Sequence, residues 1–261
     1  MRVKRVQIAI IKCPKCGCEY ESLSCNPDEP VKCLKCGFVF CGYDEPIPKR
    51  YIIEREVDAL RCDICGSLIP CTPENFVWGM PLPAVACPRC KDPSTTGIHS
   101  SHIVGILYRK KWRTIDFFMK KRGVDGLHLA KSMRDKITAH LLLHDAKLND
   151  DPSFLSFTVF DKSVLIKVLW VRGEAVGCYT FTVNDIWGVP CMHIIVVHRK
   201  HRNKGYGTQM IADFLSSFTG KIGFEKPNRI VCSILAKLGE VEEVENHFQS
   251  KGRVVFIQGG F

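Results

Sequence analysis

Eight of the 15 cysteines in this chain fall into four C-x-x-C pairs: Cys13/Cys16, Cys33/Cys36, Cys62/Cys65 and Cys87/Cys90. A C-x-x-C turn aims two thiolates at one ion, and two such turns close the tetrahedral S4 site that structural zinc takes. The gap between the first two pairs is 16 residues and between the second two 21, so neighbouring pairs are expected to join. That predicts two Zn2+ sites, one of Cys13, Cys16, Cys33 and Cys36, the other of Cys62, Cys65, Cys87 and Cys90. A disulfide scaffold is the competing reading, and it needs an oxidising compartment. The first apolar run, V-Q-I-A-I-I at 6–11, is too short for an export signal and reads as a strand. Intracellular placement is therefore expected, cytoplasmic or with the nucleoid or nucleus. Cys18, Cys25, Cys41 and Cys71 are left as ordinary thiols, with Cys41 placed to substitute for a neighbouring ligand.

A second chemical feature lies at 197–207, V-H-R-K-H-R-N-K-G-Y-G. An apolar run, C-M-H-I-I-V-V-H (191–198), leads into it, and T-Q-M-I-A-D-F-L follows with Ile211, Phe214, Leu215 and Phe218 at helical spacing. Strand, basic Gly-rich loop and helix start in that order make an anion site, because loop amides and the helix dipole converge on one place. Gly205 and Gly207 allow close approach of a pyrophosphate, and Arg202 and Lys204 add positive charge. The loop is neither a Walker A sequence nor a G-x-G-x-x-G fingerprint.

The elements that must position these groups fall into two regions. The chain has 261 residues, 46% hydrophobic and 25% charged, with formal net charge +10, which describes a globular protein of one or two domains. No apolar run approaches the length of a bilayer span, so no membrane association is expected. Twelve cysteines precede residue 91, and K-D-P-S-T-T-G near 91–97 reads as a boundary. The expected domains are a zinc-ribbon module over 1–97 and a second domain over 98–261. The first 100 residues hold 13 Lys+Arg against 12 Asp+Glu, whereas 101–150 hold 11 against 5. Residues 109–122 read as a short basic helix with Trp112, Ile115, Phe118 and Met119 inward, and 126–147 as a longer helix. Basic and aromatic residues interleaved in this way suit either nucleic acid or a solvated amphipathic helix with its aromatics in the core. On the first reading the segment 109–136 is a candidate contact for nucleic acid, while the ribbons are a candidate contact for protein. Farther on, 163–171 and 175–183 read as a hairpin, 229–236 as a strand, 241–251 as a helix and 253–257 as a last strand.

The segment 197–207 resembles the signature of the GCN5-related N-acetyltransferases, R-x-x-G-x-G, here Arg202, Gly205 and Gly207. The resemblance implies an α+β fold, a mixed sheet with flanking helices from about 100 to 261, with H-I-V-G-I-L-Y (102–108) as its first strand. It implies acetyl-CoA, or another acyl-CoA, as co-substrate. The pantetheine arm would lie along Ile195, Val196 and Val197, and the pyrophosphate on Arg202, Asn203, Lys204, Gly205, Tyr206, Gly207 and Thr208. An amine would attack the thioester directly, so the protein orients, removes a proton and supports an oxyanion.

Members of that family often place a Glu on the strand before the loop. By alternation Cys191 and His193 share a face there, which makes His193 the first candidate base, ahead of Glu174 and Asp185. The family's tyrosine acid, before the last strand, falls on Phe248, which leaves His247 or Tyr206 as candidates. The expected function is an N-acyltransferase acting on a base or modified nucleoside of DNA or RNA. The alternatives are a protein or small-amine acetyltransferase using its ribbons for recognition, and a degenerate binding module.

Overall fold

The computed structural model describes residues 3–20, 23, 30–42, 45–77, 82–90, 102–146, 162–239, 241–246 and 252–259. The chain divides into two compact units, Met1–Ile115 and Asp116–Phe261. Among the described residues no helix is long and apolar enough to cross a membrane.

In the first unit the cysteine pairs are the turns of hairpins. β1 (Lys4–Lys12) and β2 (Glu19–Tyr20) flank Cys13/Cys16, and β3 (Val31–Lys32) and β4 (Val39–Cys41) flank Cys33/Cys36. β5 (Ile52–Arg61) and β6 (Leu68–Pro70) flank Cys62/Cys65, and β7 (Ala84–Cys87) ends on the fourth pair. β1 runs antiparallel along β5 from Lys4↔Ala59 to Ile11↔Ile52, joining the two halves of the unit. Its apolar clusters are small and contain the cysteines themselves: Ile11, Val31 and Phe40 around Cys13 and Cys33, then Leu60, Ile69 and Val85 around Cys62 and Cys87.

The strand at 102–108 differs from expectation. β8 (His102–Tyr108) lies between β7 and β9 (Lys111–Thr114) in a three-stranded sheet of this first unit, not in the larger sheet. Val104 and Trp112 pack with Leu60 and Val85, so the strand is needed to cover the second cysteine group. The division of the chain into compact units accordingly falls after Ile115, against the expected boundary near 91–97.

The expected short helix over 109–122 is instead β9 followed by one helical turn, α1 (Ile115–Met119), with Phe118 buried. The expected helix over 126–147 begins late. Residues 126–129 form β10 (Gly126–Leu129), and α2 (Met133–Asp145) starts after Ser132, whose hydroxyl accepts from the Asp135 amide at 3.1 Å.

The second unit is a seven-stranded sheet in the order β10-β11-β12-β13-β14-β16-β15. Its strands are β11 (Leu165–Val171), β12 (Glu174–Thr182), β13 (Cys191–Val197), β14 (Gly220–Glu225), β15 (Val241–Asn246) and β16 (Gly252–Gly259). Two further helices are α3 (Tyr206–Ser216) and α4 (Arg229–Leu238). All neighbours are antiparallel except β13 and β14, which α3 connects in parallel. α2 packs Ala139 and Leu142 with Val168, Trp170 and Cys178, while Met210, Phe214 and Leu235 of α3 and α4 pack with Leu169, Val176 and Tyr179. The central strands are thus buried on both faces, which explains their continuous apolar runs.

The C-terminal elements are transposed relative to the sequence reading. The β-branched run 229–236 is a helix, because Asn228 caps it (Oδ1 to the Val231 amide, 3.0 Å) and Val231 and Leu235 bury one face. The glutamate-rich run from 241 is an edge strand paired with β16, and the strand β14 went unrecognised.

Candidate active site and cysteine clusters

β13 and β14 pair only at Cys191↔Gly223 and Met192↔Phe224. Past Glu225 the chain leaves the sheet at Lys226, which has φ 44°, and Pro227, which has no N–H to donate. β13 continues to Val197 with its β12 edge paired and its other edge facing a cleft. That cleft encloses about 580 Å³ including its open mouth, and His193, Ile195, Phe224, Glu225 and Asn228 are among its lining residues.

At the far end of β13 the Gly-rich loop leads from the strand into α3, the strand–loop–helix order the sequence suggested. Gly205 has φ 80°, a left-handed conformation, and serves as N-cap of α3 without any side-chain cap. A Cβ on Gly207 would meet nothing closer than Val197 Cγ2 at 3.9 Å, so a side chain at this position finds ample room. Arg202 reaches back so that Nε donates to Val197 O at 3.2 Å, which ties the loop to the end of β13. Two devices hold α3 on the sheet. Gly177 lets β13 and α3 approach, since a Cβ there would lie 2.6 Å from Val196 O. Asp213 of α3 accepts from Tyr179 Oη at 2.5 Å and Lys167 Nζ at 2.8 Å; burial, then this bond, keeps the tyrosine protonated.

His193 occupies a bulge. The register passes from Thr180↔Ile194 to Phe181↔Met192, which leaves His193 as an extra residue on β13. Its side chain is only 4% exposed, with Nδ1 2.8 Å from Glu225 Oε2 and Nε2 3.1 Å from Thr182 Oγ1. Imidazole and carboxylate are thereby joined inside the cleft. Glu225 escaped sequence reasoning because its strand did; a Glu immediately before K-P-N at the end of I-G-F was the only cue.

Of the other residues the sequence singled out, Ile195 and Val197 are half-buried and Val196 is buried on β13, while Arg202, Asn203, Lys204 and Thr208 are exposed. Tyr206 is the first residue of α3, its ring 6.4 Å from that of His201, and it does not line the cleft. Glu174 pairs with His201 at 3.4 Å and likewise lies elsewhere. His247 and Phe248 lie outside the described residues.

In the first unit the cysteines assemble as their spacing indicated. The four Sγ atoms of Cys13, Cys16, Cys33 and Cys36 all lie within 4.8 Å of one another, as do those of Cys62, Cys65, Cys87 and Cys90. Gly17, Gly37 and Gly66 sit at φ 70–73° and donate their amides back to Cys13, Cys33 and Cys62. Tyr20, which sequence reasoning passed over, brings its hydroxyl to 3.1 Å from Cys33 Sγ. Burial and the neighbouring sulfurs push the Cys90 thiol up to about 12. Four sulfur atoms this close together could serve as the ligands of a single metal ion.

Residues 130–227 match the protein-family model described as the Acetyltransferase (GNAT) family. The matched segment runs from the end of β10 through Pro227, and so contains the anion loop, the bulge and Glu225. Among curated proteins, human Protein FAM169BP is 33% identical over 79 residues, 27% of this chain. The chain spans 40% of that relative's length. Among solved structures, Tetrahymena GCN5 is 12% identical with a TM-score of 0.42, over 52% of this chain and 97% of that one. A Bacillus acetyltransferase solved in complex with CoA is 15% identical with a TM-score of 0.38, over 51% and 97%.

Proposed function

We propose that this protein is an acyl-CoA-dependent N-acyltransferase that moves an acetyl group from acetyl-CoA to an amine by direct attack on the thioester. The observation that carries the reading is the opened edge of β13 leading to the uncapped first turn of α3. The diphosphate sits on the amides between residues 202 and 208, and the pantetheine arm pairs with Ile195–Val197 as a strand would. The amine arrives at the Glu225 end of the cleft. His193 takes a proton from the ammonium, and Glu225 at Nδ1 supports the imidazolium that forms. The amine nitrogen then bonds to the acyl carbon, the C–S bond breaks, and the departing thiolate is protonated.

Acetyl-CoA at millimolar concentration should raise the melting temperature, as any ligand selective for the folded state does. No rise overturns the reading. His193→Ala should keep that rise yet lower kcat by roughly 10²–10⁴, the usual contribution of a positioned base. If its turnover matches the wild type in an intact-mass assay of acyl-CoA with candidate amines, the base lies elsewhere.

The acceptor in this reading is linked to nucleic acid. Its support is the tip of the β8–β9 hairpin, where Arg109 and Lys110 hold φ 49° and 61°, left-handed values that disfavour such side chains. A turn that glycine or asparagine would make with less strain instead presents two cations, beside exposed Lys111. Farther along the basic segment Lys120 pairs with Asp116 and Lys121 with Asp135, each at 3.2 Å. Affinity for an oligonucleotide should fall steeply with salt, and a flat response rejects it. A protein acceptor is the second reading, favoured by Leu34 and Ile64, 83% and 68% exposed inside two cysteine turns.

Each cysteine group holds one Zn2+ in this account. Four convergent sulfurs with knuckle glycines at positive φ fit that ion, and each site is structural because no coordination position is left open.

A further inference from the structure

We infer that the cleft contains a third metal site, formed by Asp185, Cys191 and His193, which takes a thiophilic divalent cation such as zinc and silences the transferase when filled. The second half of this inference rests on the acyltransferase reading; the metal site itself does not.

Three different donors converge here. One ligand atom each from Asp185, Cys191 and His193 lies within 4.8 Å of the others. Cys191 and His193 are two residues apart on β13, and Asp185 comes from the turn after β12, closed by Gly188 N to Asp185 O at 2.8 Å. A sulfur, an imidazole nitrogen and a carboxylate suit zinc far better than magnesium or calcium, which take oxygen alone. Three protein ligands leave a fourth coordination position, the arrangement of an accessible site rather than a closed one.

A second, independent observation points the same way. The Glu225 carboxylate holds His193 Nδ1 at 2.8 Å. Metal-ligating histidines are oriented by such a carboxylate on the other ring nitrogen, which fixes the tautomer and raises the ligand's basicity. Nε2 is then the nitrogen for the ion, and its present neighbour, Thr182 Oγ1 at 3.1 Å, is a hydroxyl that can rotate to another partner. Charge also favours a cation, since the carboxylates of Asp185 and Glu225 both act on the buried Cys191 thiol. The same imidazole cannot ligate zinc and accept a proton from the substrate amine. Filling the site therefore removes the base, and metal binding displaces the Cys191 proton to solvent.

The test is a zinc titration of the full chain in a buffer with a competing chelator, read as equivalents bound per chain. Two tight equivalents belong to the cysteine groups, and a third, weaker one is expected. Cys191→Ser and Asp185→Asn should each weaken the third equivalent by at least tenfold and leave the first two in place. Glu225→Gln should weaken it about 10–100-fold, the usual cost of losing a ligand's orienting partner. Acyl transfer by the wild type should fall as the third equivalent binds and return when a mild chelator removes it. Only two equivalents in the wild type, or a third that survives both Cys191→Ser and Asp185→Asn, overturns the site. Should Cys191→Ser fail to fold, Asp185→Asn decides alone. A chain that binds the third zinc but transfers nothing condemns the transferase reading and leaves the metal site standing.

Discussion

Gly207→Asp abolishes the acetyl-CoA-dependent rise in melting temperature while leaving the ligand-free protein as stable as before. The backbone tolerates the change, because Gly207 is within α3, has no left-handed φ, and a Cβ there finds only Val197 Cγ2 at 3.9 Å. An acid in the first turn of a helix is itself stabilising, by about 0.3–1 kcal/mol. The new carboxylate stands where the diphosphate is proposed to sit, however, and would repel it. Like charges brought together cost several kcal/mol, and each 1.4 kcal/mol is tenfold, so affinity should drop at least ~100-fold. Gly207→Ala, with the same Cβ and no charge, is the control and should lose far less. Equal melting shifts for Gly207→Asp and wild type would mean the coenzyme binds elsewhere.

Removing the zinc proposed for the cysteine groups has the largest expected effect on stability. Around each group the apolar clusters are small and built partly of the cysteines themselves. A structural zinc contributes apparent binding energies of about 10–16 kcal/mol, more than such clusters provide. A strong chelator should therefore unfold the first unit, while the second, whose core contains Phe214, Met210, Ile211 and Leu235 and no cysteine pair, keeps its own transition. Native mass spectrometry should show loss of both ions, and an NMR spectrum should show the first unit's amide resonances losing their dispersion. Cys36→Ser should lower zinc content by one and reproduce half of this effect. A first unit that stays folded with no metal bound would falsify the structural role.

How much was readable beforehand differed by element, for physical reasons. The knuckles were legible because thiol spacing and a following glycine are local requirements: Gly17, Gly37 and Gly66 all adopt the left-handed φ that only glycine takes freely. The anion loop was legible on the same ground. The run 229–236 was misread because its isoleucine, valine and cysteine have strand propensity, which Asn228 and the burial of Val231 and Leu235 override. Residues 102–108 were a true strand assigned to the wrong sheet, since alternation states that a strand exists and not which neighbour it pairs with.

The amino-acid order alone determined the two sets of four thiols and the glycine-bearing anion loop, because each is a short-range arrangement that its own residues enforce. Only the tertiary structure decided that β14 leaves β13 after two residue pairs, that a bulge turns His193 into the opening, and that Glu225 meets it from another strand. The bulge depends on how β13 registers against β12, and the opening and the Glu225 contact on pairing between segments 32 residues apart; register between strands is set by the whole packed sheet rather than by either segment.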